Sequence, residues 1–390
     1  MWIVVLNWNR RDDTLTCLRS LAAADLRGAS VVVVDNGSRD DSVEAVRREF
    51  PDVRIIRLAQ NEGYAGGNNA GIRAALAAGA GAVLLLNNDT RVAPDFLPPL
   101  LDVLNTNPRA AAVSGAIFRA DSPLCLDVAY LDIYFGHGLV HRRGVNALPG
   151  EGFDRVKPIS AGVGCCLLLR AEALRRIGLL DEAYFAYHEE VDWCYRAQRA
   201  GMQIIYQPFS RVWHTGSRST AELARGARRH GPRRPSLPNP IPLSWNPVRT
   251  YLGARNAVRF VRLHGSIVKK VYFCLSSLYA VPLELLAVVM GREEDLILGL
   301  WTYRRALALY CLERELPSPV AKPTFRTRLR ALLRAPKHLL VTLPADIRQA
   351  HREGATAQLV EHVRGLWDGV RNRPLPLERL GLREPVEGAR

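Results

Sequence analysis

Residues Leu84–Thr90 read LLLNNDT. Three leucines run straight into two amides and a carboxylate, groups that are costly to bury without partners. The leucines read as the end of a strand buried on both faces, and the polar triplet as the point where that strand emerges. The same pattern repeats upstream. Short apolar runs at Ile3–Leu6, Val31–Val34 and Val53–Arg57 precede Ala82–Leu86, the continuous type that suits strands of a parallel sheet. Helical patterns lie between them: Leu15, Leu18 and Leu21 share one face, Asp41 and Glu44 have capping-box spacing, and an alanine-rich run from Asn68 to Ala78 stops at Gly79. Alternation of this kind predicts a doubly wound α/β domain with right-handed crossovers.

In such sheets, ligands bind beyond the carboxyl ends of the strands. The residues just past each run are therefore informative: Asn7-Trp8-Asn9-Arg10, Asp35-Asn36-Gly37-Ser38, the stretch Asn61–Asn69 (NEGYAGGNN), and Asn87-Asn88-Asp89. A single cluster of this composition is an ordinary turn. Four at successive strand ends predict a polar rim. Asp89 is a hard oxygen ligand suited to Mg²⁺ or Mn²⁺, an ion that keeps waters and adds phosphate oxygens from a substrate. Asp35 can accept a hydrogen bond from the ring N–H of a uracil or thymine. Gly63, Gly66 and Gly67 allow close backbone approach ahead of a helix N-terminus, where N–H groups favour anions. Together they suggest a nucleotide diphosphate. The glycines match neither the dinucleotide fingerprint nor a P-loop.

A second constellation is Tyr184–Arg196, YFAYHEEVDWCYR. Glu189, Glu190 and Asp192 repel one another unless a proton, an arginine or a metal relieves them. Such crowding raises a carboxylate toward the range of a general base, although an acidic first helical turn explains some of it equally well. Further on, Val212-Trp213-His214 comes after a strand-like Ile204-Ile205-Tyr206, and His214 is a candidate for metal or phosphate contact.

These stretches, VVLNWN, VVVVDNGSRDDS, NEGYAGGNNAGI, LLLNNDT, the segment from Ser160 to Gly201 and VWHTGS, resemble the inverting family 2 glycosyltransferases of GT-A fold, especially the rhamnosyltransferase-like branch. The resemblance spans about residues 1–216. It implies that Asp35 reads a pyrimidine, with Asn9 beside it, and that Gly66, Asn69 and Asn88 line the nucleotide-sugar pocket. Asn87-Asn88-Asp89 stands where the family has its DxD motif, leaving Asp89 as the main metal ligand with His214 completing the site. Glu190 falls at the catalytic base, where the family usually has an aspartate; the longer side chain leaves Glu189 or Asp192, its neighbours on the acceptor side, as alternatives. The implied reaction is a single displacement with inversion. Implied donors are dTDP-rhamnose or a UDP-sugar, and the implied acceptor is a cell-surface or polyprenyl-diphosphate-linked glycan.

Charge divides the chain. Lys+Arg and Asp+Glu balance through residue 215, whereas residues 216–390 hold 30 basic and 14 acidic side chains, which accounts for the net +15. A neutral catalytic domain with a basic appendage suits an anionic partner such as a membrane leaflet. The appendage divides into a Pro/Gly/Arg-rich linker at 217–250, a helical region at 251–316 and a basic helical tail at 317–390, in which Thr324–Leu333 is amphipathic. The mainly α-helical C-terminal region opens with Tyr251, Arg255 and Asn256; similar YxxxRN stretches recur in the same branch, and Arg255 is expected to meet an acceptor phosphate. The apolar run 271–290 contains Pro282 and Glu284, so it reads as a helix lying on a membrane rather than crossing one.

Met1–Leu6 is too short an apolar stretch for a signal peptide. The seven cysteines form no CxxC pair, which points to reduced thiols. Both observations lead to the expectation of a cytoplasmic enzyme, peripheral at the inner face of the membrane. Two other classes fit less well. A sugar-1-phosphate nucleotidyltransferase usually places glycines directly after the first strand, where this chain has NWNRRDD. A nucleic-acid binder should interleave aromatic and base-reading residues, and the basic half carries no known module of that kind.

Overall fold

Trp2–Asn7 (β1) pairs in parallel with Ser30–Asp35 (β2) on one side and Ala82–Asn87 (β4) on the other, and β2 pairs with Arg54–Arg57 (β3). The registers Asn7↔Asp35 and Leu6↔Asn87 bring three polar strand ends to one edge. This computed structural model describes residues 1–136, 139–148, 150–215, 247–290 and 355–382. Residues 217–246 of the expected linker 217–250 and the amphipathic stretch Thr324–Leu333 lie outside the described residues, and 247–250 are helical rather than linker.

Helices Arg11–Ala22 (α1), Ser42–Glu49 (α2), Gly63–Ala77 (α3) and Leu97–Thr106 (α4) alternate with the strands. The sheet then turns mixed. Cys166–Arg170 (β11) inserts antiparallel between β4 and Ala110–Arg119 (β6), and Gln203–His214 (β12) runs parallel to β6. Thr90–Val92 (β5) and Lys157–Ile159 (β10) pair antiparallel with β12, and Leu126–Val128 (β7) with β6. Tyr130–Ile133 (β8) and Val140–Arg143 (β9) form a separate hairpin. Ala171–Ile177 (α5) and Glu189–Arg199 (α6) complete the domain. Ile3, Val4, Val5, Val32, Val34 and Leu84–Leu86 are almost fully buried, as strands covered on both faces must be.

Two local expectations change. The alanine-rich helix starts at Gly63, not Asn68, so the glycines form its first turns. A Cβ on Gly67 or Gly71 would collide with Leu6 or Val4, so these glycines let α3 lie close against β1 rather than against a ligand. The capping box at α2 does not form. Asp41 pairs with Arg11 at 3.0 Å, while Asp40 Oδ1 accepts the Ser42 N–H at 3.2 Å.

Beyond the sheet, Pro247–His264 (α7), Ile267–Met290 (α8) and Ala355–Val370 (α9) form the helical part. Tyr251, Arg255 and Asn256 lie inside α7, one and two turns past its start. No described helix is long and apolar enough to cross a membrane. Phe185, Val248, Tyr251, Leu252, Leu380 and Leu382 form a second small core, with Trp8, Tyr187, Leu375 and Leu377 packed against it. Residues 375–382 therefore fold back onto the catalytic domain.

Candidate active site

The buried polar cluster at the edge of β1, β2 and β4 is tied together by amides. Asn7 Nδ2 donates to Ser38 Oγ at 3.1 Å and reaches Asp35 Oδ1 at 3.4 Å, while Asn7 Oδ1 accepts from Thr14 Oγ1 and Asn88 Nδ2. Asp35 is fully buried, and its Oδ2 has no hydrogen-bond partner, with Arg57 Nε 3.6 Å away. A buried carboxylate oxygen left open at a strand end is equipped to accept a donor from a ligand. Asn88 is spent on the fold, since its amide nitrogen donates to Asn7 and Thr14. Asn9, at φ 53°, accepts the Arg39 N–H at 2.7 Å and joins the first and second strand-end loops.

Asn69 is committed elsewhere. Its amide bridges Leu180 in both directions and donates to Glu182. It pins α3 to the segment before the second acidic constellation. A Cβ on Gly66 would meet only the side chain of Glu62.

Asp89 and His214 are far apart in sequence, but the antiparallel pairing Thr90↔His214 sets them side by side. His214 Nε2 lies 3.3 Å from Asp89 Oδ1, and its Nδ1 lies 3.3 Å from Asp127 Oδ2. Arg142 holds Asp127 from the other side at 2.7 Å. Burial works against the imidazolium, but Asp89 and Asp127 outweigh it and raise the His214 pKa to about 10. Burial likewise opposes ionisation of Asp127, yet His214 and Arg142 pull it down to about 2. No sequence motif points to Asp127.

Asp89 Oδ1 is buried without a hydrogen-bond partner. A carboxylate oxygen and an imidazole nitrogen, once the cation displaces the proton of Nε2, are a donor pair that Mg²⁺ or Mn²⁺ accepts, and neighbouring ligands of one such ion stand about 3 Å apart. The residues present therefore fit a divalent cation. Among the described residues, no cluster of three or more His, Cys, Asp and Glu side chains has the arrangement to hold a metal by itself.

The acidic constellation opens α6. The Tyr64 hydroxyl donates to Gly164 O at 2.6 Å, and its pKa is held well above the ordinary value by burial first, then by Glu189, Glu190 and Cys165. Cys165 in turn feels Asp127 and Asp89. Burial pushes Glu189 well up, with the charge of Glu190 adding to it. Burial also raises Glu190, but the hydrogen bond from Glu189 pulls it partly back. Glu189 is thus raised further than Glu190. One oxygen of each, Oε2, has no hydrogen-bond partner.

Asp192 and Arg255 are occupied by the fold. Asp192 takes Arg196 Nε at 2.7 Å, His264 Nε2 at 2.7 Å and the Tyr184 hydroxyl at 3.3 Å. Arg255 is buried and donates to the carbonyls of Ala183 and Arg373. Arg255 Nε is buried without a hydrogen-bond partner.

The model of glycosyl transferase family 2 matches residues 2–178. An N-acetylglucosaminyl-diphospho-decaprenol L-rhamnosyltransferase of Mycobacterium tuberculosis is 30% identical over 226 residues, covering 52% of this chain and 72% of that protein. The chain belongs to glycosyltransferase family 2. The dTDP-rhamnosyl transferase RfbF of Shigella flexneri is 24% identical over 268 residues, covering 67% of this chain and 80% of that one. Among solved structures, GalNAc-T7 with UDP, GalNAc and Mn²⁺ superposes with a TM-score of 0.50 at 16% identity, over 70% of this chain and 49% of that one. At that identity the likeness concerns the fold, which is GT-A. This family 2 glycosyltransferase thus carries a mixed α/β catalytic domain with a helical part behind it.

Proposed function

We propose that this glycosyltransferase moves a hexose, rhamnose in first place, from a nucleoside diphosphate sugar to a polyprenyl-diphosphate-linked or other cell-surface glycan, with inversion. The reading is carried by buried carboxylate oxygens left without hydrogen bonds in two places, on Glu189 and Glu190 at the start of α6 and on Asp89 beside His214. Glu190 takes the proton of an acceptor hydroxyl as that oxygen bonds to the anomeric carbon. The bond from that carbon to the diphosphate oxygen breaks in the same step, and the nucleoside diphosphate departs. Glu189 stands beside Glu190 at the start of α6 and is raised further than it. Asp35 accepts from the ring N–H of a pyrimidine. Asp89 and His214 would hold the Mg²⁺ or Mn²⁺, which when bound supplies positive charge to the leaving diphosphate. Donor preference and acceptor type rest on the names of the relatives from M. tuberculosis and S. flexneri.

Lipid-linked acceptors accord with a peripheral position at the inner face of the membrane. Ile267, Val268, Val271, Leu275 and Leu278 are exposed along α8, with Lys269 and Lys270 among them. An apolar stripe bordered by lysines fits an anionic leaflet. The protein is expected to co-sediment with vesicles containing phosphatidylglycerol and not with neutral ones; equal recovery with both contradicts this part.

The test of the reaction is consumption of dTDP-rhamnose, UDP-galactofuranose and UDP-N-acetylglucosamine by the purified full chain with Mn²⁺. The expected result is nucleoside diphosphate release from dTDP-rhamnose above the other two. Release from none of them overturns the proposal.

A further inference from the structure

We infer that Asn256 is a positioning residue for the proposed base, acting through the loop Tyr184–His188 that leads into Glu189 and Glu190. The inference rests on the reading of Glu190 as the base. The loop has an unusual backbone: Phe185, Tyr187 and His188 have φ of 64°, 69° and 77°, a left-handed region that side chains with a Cβ rarely adopt. Such a shape persists only where its surroundings impose it.

The carbonyls of the loop reveal what imposes it. Ala183 O accepts from Arg255 Nη1 at 2.9 Å. Tyr184 O, Ala186 O and Tyr187 O converge on Asn256 Nδ2 at 2.9, 2.8 and 2.8 Å. Phe185 O, facing the other way, accepts the Ala65 N–H of α3 at 3.1 Å. Every carbonyl from Ala183 to Tyr187 is therefore engaged by α7 or α3. Asn256 is fully buried, so water cannot substitute for its amide. The amide itself is set by Arg255, which donates to Asn256 Oδ1 at 3.0 Å.

Two further contacts brace the arrangement. Phe185 belongs to the second small core, with Tyr187 packed against it, and the leucines of 375–382 join that core. Arg255 Nη2 reaches Arg373 O at 3.3 Å. Helix α7 and the segment 371–382 thus act as a brace that fixes where the glutamate dyad stands relative to the nucleotide side.

The test compares Asn256→Ala and Asn256→Asp with the full-length protein by hydrogen exchange over residues 183–190 and by kinetics with dTDP-rhamnose. Both variants are expected to speed exchange of the loop amides at least about tenfold. Both should lower kcat by ~10²-fold, as misplacement near 1 Å does, with the Kd for dTDP changed less than about threefold. Asn256→Asp keeps the shape and loses the N–H donors, so it separates hydrogen bonding from volume. His188→Gly placed on Asn256→Ala should recover part of the lost kcat, because glycine adopts the positive φ freely. Folded variants with loop exchange and kcat both within twofold of the parent overturn the inference. So does a loss of dTDP binding in step with kcat. If neither variant folds, the parent decides: loop amides protected like those of α7 support the brace, and amides exchanging as an open loop overturn it. Glu190→Gln run alongside keeps the two claims apart, since loop exchange reports the brace whatever the identity of the base.

Discussion

His214 Nε2 stands 3.3 Å from Asp89 Oδ1 because the last residue of β12 pairs with Thr90, the first residue of β5. On its other side, Asp127 holds the ring by Nδ1. A histidine with one nitrogen tied to a carboxylate presents the other in a fixed direction, the arrangement that supports ligation of a cation. Removing divalent cations with EDTA is expected to abolish transfer, and Mn²⁺ or Mg²⁺ to restore it. Asp127→Asn should weaken Mn²⁺ binding, read by electron paramagnetic resonance, by roughly 10–100-fold. Full turnover in EDTA contradicts the assignment of Asp89 and His214.

The dyad predicts a pH profile. Burial raises Glu190 above its ordinary 4.5, with backbone hydrogen bonds and then Glu189 pulling in the opposite direction. A base works only when ionised, so kcat should rise with pH through an apparent pKa above 4.5 that belongs to the pair. A kcat that is flat down to pH 4.5 contradicts this.

Asp192 predicts a pH-dependent stability. Burial opposes its charge, but His264 and Arg196 outweigh that and hold its pKa below the ordinary 3.8. Because the folded pKa is lowered, the stabilisation is complete above the ordinary value and is lost as pH falls through the lowered one. Asp192→Asn should cost roughly 3 kcal/mol at pH 7, with His264 and Arg196 left facing a neutral amide. In urea unfolding, the gap between the parent and variant should narrow as pH drops below 3.8. A gap unchanged from pH 7 to pH 3 contradicts the linkage.

Much of the catalytic domain was legible because β1, β2 and β4 are short apolar runs with polar ends, and such runs carry their own signal. The strands β6 and β11 were harder. AAAVSGAIFR is built from small residues, and the antiparallel place of Cys166–Arg170 depends on partners remote in sequence. Asp35, Asp89, Glu190 and His214 were readable as chemical types at strand ends or in an acidic cluster. Asp127 was not, since it sits in a strand of three residues with no motif around it and gains meaning only beside His214. Asn69, Asp192 and Arg255 look like site residues in sequence, yet the structure spends their polar atoms on neighbouring backbone and side chains. The leucines of 375–382 show no period, and only the fold reveals their contact with Tyr251 and Phe185.

The central claim is that Glu190 is the base of a displacement whose donor binds independently of it. The most direct measurement is turnover of Glu190→Gln with dTDP-rhamnose and acceptor, alongside calorimetric binding of dTDP. The account predicts turnover reduced by ~10²–10⁴-fold with the Kd for dTDP within about threefold of the parent. Turnover within about threefold of the parent would contradict it.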